Sequence, residues 1–300
     1  MKNVLVIHYS QSGQLTEILD NLTLPFSSDE EINIMHYTIE MEKEFPFPWN
    51  KSAFFNAFPE SFLQIPAAIK APSNTILEKQ YDLIILGYQV WYLSPSIPVN
   101  SFLKSTFAKQ LFKNTPVITV IGARNMWVKA HEKMKVLLSD LEAILVGNIA
   151  LVDRNINHVS VVTIVHWMFS GEKTNYLGIF PKPGVSESEI KNASKFGNVI
   201  KQSLKNKNFN NLQDELLKLN AVEIRPFLVE MDKKANKMFK IWSNFIINKK
   251  KSRDFWLKVF NVYLWVAIWA ISPIVFILHL HLLLVKLQKK KLFTKRYKVR

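Results

Sequence analysis

The chain has 300 residues, 48% of them hydrophobic, which is enough for one substantial core with an appendage. It has no cysteine, so disulfides and thiolate metal sites are excluded, and no metal site of another kind is evident. The net charge of +15 would suggest a nucleic-acid partner, but residues 1–224 hold 21 Lys/Arg against 21 Asp/Glu while residues 225–300 hold 18 against 3, so the whole excess lies in the tail. That tail contains Val259 to Val285, 27 residues whose only titratable imidazoles, His279 and His281, interrupt an otherwise uncharged apolar run. A polybasic apolar tail fits an anionic membrane surface, with no nucleic acid as partner.

In chain order, NVLVIHY (3–9) reads as a strand and QLTEILDNL (14–22) as a helix, followed by a strand INIMHYTI (32–39). The Phe- and Pro-rich stretch 41–75 comes next, where a plain domain needs only a helix; it is either an insertion packed on the core or a lid with a greasy wall. Further strands are expected at YDLIILGY (81–88), TPVITVIGA (115–123) and AILVGNIALV (143–152), with helical periodicity in VNSFLKSTFAKQLF (99–112) and MWVKAHEKMKVLLSDL (126–141) between them. Near-continuous apolar strands suit parallel pairing with both faces covered. The alternation therefore predicts an α/β fold, a doubly wound parallel five-stranded sheet. HVSVVTIVHWMF (158–169) is a further apolar run read as an extra strand. Ser186 and Glu189 have capping-box spacing and start a helix, and Arg225 and Pro226 open an amphipathic segment, RPFLVEMDKKANKMFKIWSNFII, with Phe227, Met231, Met238, Trp242 and Phe245 opposite several lysines. An ordinary amphipathic helix on the domain is one reading, but its basic face and its position just before the apolar run favour the membrane surface.

The turn after the first strand, YSQSGQLT (9–16), either holds a phosphate or only changes the chain's direction, and S-x-S-G alone is a weak signal. At the carboxyl end of a parallel strand, with a helix following, unpaired N–H groups and the helix dipole attract an anion. Ser10 and Ser12 supply hydroxyls, Gly13 allows close approach, and Thr16 can add a hydroxyl at the helix start. The absence of Gly-Lys-Ser/Thr argues against a nucleoside triphosphate, and the absence of G-x-G-x-x-G against a dinucleotide.

These residues resemble those of flavodoxin-like proteins over roughly residues 1–205: YSQSGQLT is similar to that family's phosphate loop, DLIILGYQVWYLSPSIPVNSFL (82–103) to its second loop and VITVIGARNMW (117–127) to its third. The resemblance implies flavin mononucleotide (FMN) as cofactor. It implies phosphate contacts from Ser10, Gln11, Ser12, Gly13 and Gln14, ring contacts from Val90, Trp91 and Tyr92, and contacts at the other ring edge from Gly122, Ala123, Arg124 and Asn125. Leu15 stands where the family usually has threonine, and the third loop lacks the acidic cluster of small electron carriers. Arg124 either pairs with a surface carboxylate or stabilises negative charge in the site. His131 and His166 are candidate bases with a structural role as the alternative; no catalytic residue is assigned.

The expected organisation is a flavin domain over 1–205, a basic helical region over 206–254 and a membrane-anchoring segment with its polybasic end over 255–300. Both flanks of the apolar run are basic, KKKSR (249–253) before it and eight Lys/Arg among the last 15 residues. With Pro273 mid-segment, this predicts a re-entrant or interfacial helical hairpin on the cytoplasmic face of the inner membrane, a tilted span being the alternative. As a whole the chain resembles the flavin-dependent aromatase of dialkylresorcinol and flexirubin-type pigment biosynthesis. That resemblance implies oxidation of a 2,5-dialkylcyclohexane-1,3-dione, a lipophilic small-molecule substrate, with a ketosynthase and an acyl carrier protein as pathway partners. Two other readings stand beside it: a membrane-bound NAD(P)H:quinone reductase, and a flavin-free membrane adaptor on the same scaffold.

Overall fold

The computed structural model describes residues 1–277. Five parallel strands, β1 (Lys2–His8), β2 (Ile32–Thr38), β3 (Leu83–Trp91), β5 (Pro116–Ala123) and β6 (Ile144–Val152), lie in the order β2-β1-β3-β5-β6, and the two-residue β4 (Ser94–Pro95) folds back antiparallel on β3. Their sequences do not alternate because both faces are covered: Val4, Leu5, Val6 and Ile7 are all fully buried.

One face packs α1 (Gln14–Ser27) with α9 (Glu187–Lys191), α10 (Ser194–Lys205) and α11 (Leu212–Lys218), joining Leu15, Ile18 and Leu22 to Phe196, Ile200 and Leu216. Gly197 makes this layer possible, because a Cβ there would lie 1.9 Å from the Leu22 carbonyl oxygen. The other face packs α4 (Asn74–Leu77), α5 (Ile97–Leu103), α6 (Thr106–Phe112) and α7 (Val128–Asp140) through Ile76, Phe102, Phe112 and Met134. The stretch 99–112 is two helices because Ser105 ends one and caps the next, its Oγ accepting from the Ala108 N–H. Ser186 accepts from the Glu189 N–H and donates to its carboxylate, as the spacing predicts.

Three expectations are corrected. The apolar run 158–169 is not a strand but helix α8 (Asn157–Ser170), and β6 is the edge of the sheet. Its β-branched residues imitate a strand; Ser160, Thr163 and Trp167 recur at helical spacing on its buried side, with the Ser160 hydroxyl donating to Asp153. A boundary at residue 205 falls inside a continuous core, since α11 buries Leu212 and Leu216, and Gln213 pairs with the backbone of Asn148. The amphipathic segment, α12 (Pro226–Ile247), uses its apolar side against protein. Phe239, Trp242 and Ile246 meet Phe58 and Phe62 of the Phe-rich insertion together with Phe260 of α13 (Arg253–Val266), leaving Lys233, Lys234, Lys237 and Lys240 exposed. The insertion contributes α2 (Lys51–Asn56) and α3 (Phe58–Leu63) to this contact.

Residues 250–277 form one helix long and apolar enough, by length and composition, to cross a membrane. It does not reverse at Pro273: a π-helical turn over Ala267–Ile271 precedes the proline and the helix continues to Ile277. Widening the turn is one way to accommodate a ring that lacks an N–H and clashes with the preceding turn. His279, His281 and the terminal basic cluster lie outside the described residues, as does any reversal beyond 277.

Candidate functional site

The carboxyl ends of β1, β3 and β5 open at the point where the strand order changes direction, between β1 and β3. Residues 9–13 leave β1 here and enter α1 through Gly13, whose φ of 81° is a left-handed conformation that glycine adopts without strain. Gly13 caps nothing by side chain, so the first N–H groups of α1 are left for another acceptor. The Ser10 hydroxyl is buried with no hydrogen-bond partner, and so is the Gln11 carbonyl oxygen. Gln11 is otherwise held in place, its amide donating to the Pro46 carbonyl and its backbone N–H to Gln89.

A cavity of about 250 Å³ adjoins this loop. Gln11, Ser12 and Gln14 line it at the β1 end, Val90, Trp91 and Tyr92 at the end of β3, and Gly122, Ala123 and Arg124 at the end of β5. Nine of the twelve residues expected at the cofactor are thus brought together; Ser10, Gly13 and Asn125 are not on its wall. Gln14 does not offer its side chain to a phosphate, because both ends of that amide are bonded to the backbone of Val185. Asn125 is turned away from the cavity: its amide donates to Asn157, and it lines a second, small hollow under α12. Thr16 is also committed, at 3.0 Å from the His8 ring, and Leu15 is a core residue.

Among the described residues, Arg124 is the one charged residue on the cavity wall. It has no carboxylate partner; its guanidinium donates to the backbone and side-chain oxygens of Asn157, and burial lowers its pKa to about 10 against the favourable field of Asp153. Trp91 belongs to an aromatic wall, edge-on to Tyr9, Phe45 and Trp49 at 6.0, 5.0 and 5.3 Å. Tyr92 and Leu93 have φ of 49° and 60°, a left-handed pair that turns the chain back into β4 and aims the Tyr92 hydroxyl at the Phe54 carbonyl. The insertion supplies Trp49, Phe54 and Ala57 to the cavity, so it forms a greasy wall as well as a core contact.

Neither candidate base is on the cavity wall. His131 is buried against Tyr88, with its pKa lowered to about 4 by burial, and His166 stacks on Tyr176. The feature that sequence reading missed is the roof: Ile164, Val165, Trp167, Met168 and Phe169 of α8 close the cavity. Apolar periodicity gave no sign of it, because the inward side of α8 carries the hydroxyls of Ser160 and Thr163.

An uncapped helix start, a turn of small polar residues and a flat apolar cavity at the switch point are what this strand order offers a ligand. The fold is flavodoxin-like. No family model and no curated protein matches the sequence. Among solved structures, a flavoprotein from Lactobacillus acidophilus in complex with FMN is similar at 16% identity and a TM-score of 0.39, over 49% of this chain and 92% of its own. A flavoprotein from Bacteroides eggerthii is similar at 16% identity and a TM-score of 0.40, over 57% and 99%. Oxidised flavodoxin 1 from Bacillus cereus is similar at 13% identity and a TM-score of 0.35, over 66% and 95%. Such distant likenesses say nothing about chemistry; the strand order and the switch-point cavity carry the fold assignment.

Proposed function

We propose that this chain is an FMN-dependent oxidoreductase acting on a lipophilic substrate at a membrane. The observation that carries the reading is the pairing, in one place, of an unsatisfied anion cradle with an apolar aromatic cavity holding a single cation. The residues fit the cofactor. The free N–H groups at the start of α1 and the hydroxyls of Ser10 and Ser12 would hold its phosphate, and Val90, Trp91, Tyr92, Gly122 and Ala123 would border its ring. Bound there, the flavin supplies an acceptor for hydride from carbon.

The substrate reading that suits the walls is oxidative aromatisation of a 2,5-dialkylcyclohexane-1,3-dione to a dialkylresorcinol. A 1,3-dione ionises readily without a strong base, which agrees with a cavity lined, among the described residues, by no carboxylate and no histidine. Arg124 would bind the enolate oxygen, and its Asn157 anchor holds the guanidinium in place before substrate arrives. Trp49, Phe54, Met168 and Phe169 would receive the alkyl chains and exclude water from the reacting carbon. The substrate loses one hydride and one proton overall. The enzyme supplying such a dione, a ketosynthase with its acyl carrier protein, is the expected partner, and the cytoplasmic face of the inner membrane the expected location.

The test is the absorbance of full-length protein in detergent, titrated with FMN and mixed anaerobically with a 2,5-dialkylcyclohexane-1,3-dione. Loss of the flavin band with formation of the resorcinol is expected. Bound flavin left oxidised by the dione but reduced by NAD(P)H, with quinone turned over, would move the assignment to quinone reduction; no flavin binding would leave a membrane adaptor.

A further inference from the structure

The helix over 250–277 is in contact with the rest of the protein along nearly its whole described length. Arg253 donates to Asn56 and pairs with Glu60 at 2.7 Å; Phe260 stacks on Phe58 at 3.8 Å; Tyr263 meets Trp242; the Ile268 carbonyl lies 3.1 Å from the His158 ring of α8, which also faces Trp269; and Phe276 meets Phe227. From Arg253 to Phe276 a helix runs ~35 Å at ~1.5 Å per residue, more than the ~30 Å hydrocarbon core. Both ends sit beside groups that require water: the Arg253–Glu60 pair at one end, and at the other Phe227, two residues from the Arg225–Glu223 pair. Exposed Lys233, Lys234, Lys237 and Lys240 cover the intervening helix α12. A helix crossing the bilayer would drag these charges into hydrocarbon.

The same helix is apolar on its outer side except for exposed Lys258, whose long stem lets its ammonium reach the headgroup layer from that face. Phe255, Val262, Trp265 and Trp269 recur at one-face spacing and are 60%, 63%, 57% and 41% exposed. The neighbouring surface continues this character. His158 and Val165 are seven residues apart and share a face of α8, Val165 is 44% exposed although it also lines the cavity, and His166 stacks on Tyr176 at 4.3 Å. The loop tip beside Tyr176 carries Leu177 and Ile179, 69% and 79% exposed, with Leu177 held at a left-handed φ of 54°. Two large apolar side chains exposed together at a loop tip mark a surface that an apolar environment would cover favourably. Exposed Lys249, Lys250 and Lys251 flank these elements and complement an acidic headgroup layer.

We infer that the protein is monotopic: helix 250–277 lies in the plane of one leaflet of an anionic bilayer, and the outer face of α8 with the Leu177–Ile179 tip rests in the same leaflet. The cavity roof is then the lipid-facing wall, at Val165 a single side chain thick, and a lipophilic substrate reaches the cavity from the bilayer and not from water. This orientation rests on reading 250–277 as a membrane segment, and it is independent of whether flavin binds.

The absence of native cysteine allows a direct test. Full-length single-cysteine variants at Phe255, Val262, Trp269, Leu177 and Ile179, with Ile144 at the outset of β6 as control, are labelled with an environment-sensitive fluorophore in phosphatidylcholine–phosphatidylglycerol vesicles. Quenching is read with aqueous iodide and with lipids spin-labelled at shallow and deep positions. The expected result is one common shallow depth for 255, 262 and 269, several-fold protection from iodide at 177 and 179, and none at 144. Depths graded by ~20 Å between 255 and 269, as a spanning helix of ~1.5 Å rise requires, would overturn the orientation, as would iodide quenching at 177 and 179 equal to that at 144. In either case a lipid-buried 262 would leave the anchor reading standing; iodide-accessible 262 would remove both.

Discussion

Ser10→Ala separates a phosphate ligand from a structural serine because it should move two quantities in opposite directions. In the protein without cofactor the hydroxyl is buried and unbonded, a condition that costs ~1–3 kcal/mol. Deleting it should leave the apoprotein's stability unchanged or raise it by about 1 kcal/mol, equivalent to ~2 °C in Tm for a domain of this size class. With FMN bound, the same hydroxyl should donate to a charged oxygen, a bond worth ~1.5–3 kcal/mol. Its loss should weaken FMN binding roughly 10- to 150-fold at ~1.4 kcal/mol per decade. Thermal unfolding of flavin-stripped protein and a fluorescence titration with FMN give both numbers on one preparation. A variant whose apoprotein is less stable and whose FMN affinity is unchanged would refute the reasoning, for it would mean that Ser10 holds the turn and not the ligand.

Other expectations follow from single contacts. Phe260→Ala empties a fully buried site stacked on Phe58 and should cost ~3–5 kcal/mol at the junction of α13 with the insertion, seen as faster limited proteolysis around Lys249–Lys251 while the sheet core stays protected. Gly197→Ala places a methyl group against the Leu22 carbonyl and should destabilise by at least the ~1–3 kcal/mol of ordinary overpacking, measured by denaturant midpoint. Arg124→Gln should leave FMN affinity nearly unchanged but sharply lower kcat/KM for the dione, with Lys restoring part of it; equal activity of the Gln variant would remove the enolate role. Acidification acts through three buried groups. His8 and His131 have pKa values lowered by burial from 6.5 to about 4, so the stability from keeping them neutral is present above pH 6.5 and lost as pH falls towards 4. Burial raises Asp232 to about 6, so its contribution runs the other way, falling as pH rises from about 4 to 6. Asp232→Asn should therefore steepen the acid loss of stability and His131→Gln should flatten it, both read from Tm between pH 4 and 7.

The parallel sheet was legible because fully buried strands leave a plain mark: NVLVIHY and DLIILG contain little that water could solvate. The turn into α1 was legible for the opposite reason: Ser10, Ser12 and Gly13 are small polar and flexible residues between an apolar strand and a helix, and Gly13 takes the left-handed conformation there. Two kinds of information were not in the local pattern. The first is which side of an apolar segment is turned inward. In α8 the buried side carries Ser160 and Thr163, whose hydroxyls are satisfied internally, while Val165 faces outward, so hydrophobicity alone pointed to a strand. The second is what a side chain spends its hydrogen bonds on. Gln14 and Asn125 occupy loop positions that suit a cofactor, but a loop 171 residues away claims the first and Asn157 claims the second.

The same physics accounts for the size of the insertion. A flavodoxin-like core closes its own faces, as the buried strands here show, and has no spare apolar surface on which to dock another helix. The apolar helix over 250–277 needs such a surface if it is to be held in one orientation. The segment 41–75 provides it with Phe58 and Phe62, which meet Phe239, Ile246 and Phe260, while Trp49 and Phe54 of the same segment turn towards the cavity. Lys133 ties the arrangement to the core, its ammonium donating to the Phe62 carbonyl and the Ser94 hydroxyl and lying 3.8 Å over the Phe62 ring. Asp232 ties it from the other side by accepting from the Lys129 N–H at the start of α7, immediately after the loop that carries Arg124. The C-terminal apolar helix, the insertion and the third loop therefore form one connected unit, and a change in how that helix sits on its surface should be felt at the cavity wall through Phe54 and Arg124 before it is felt in the sheet.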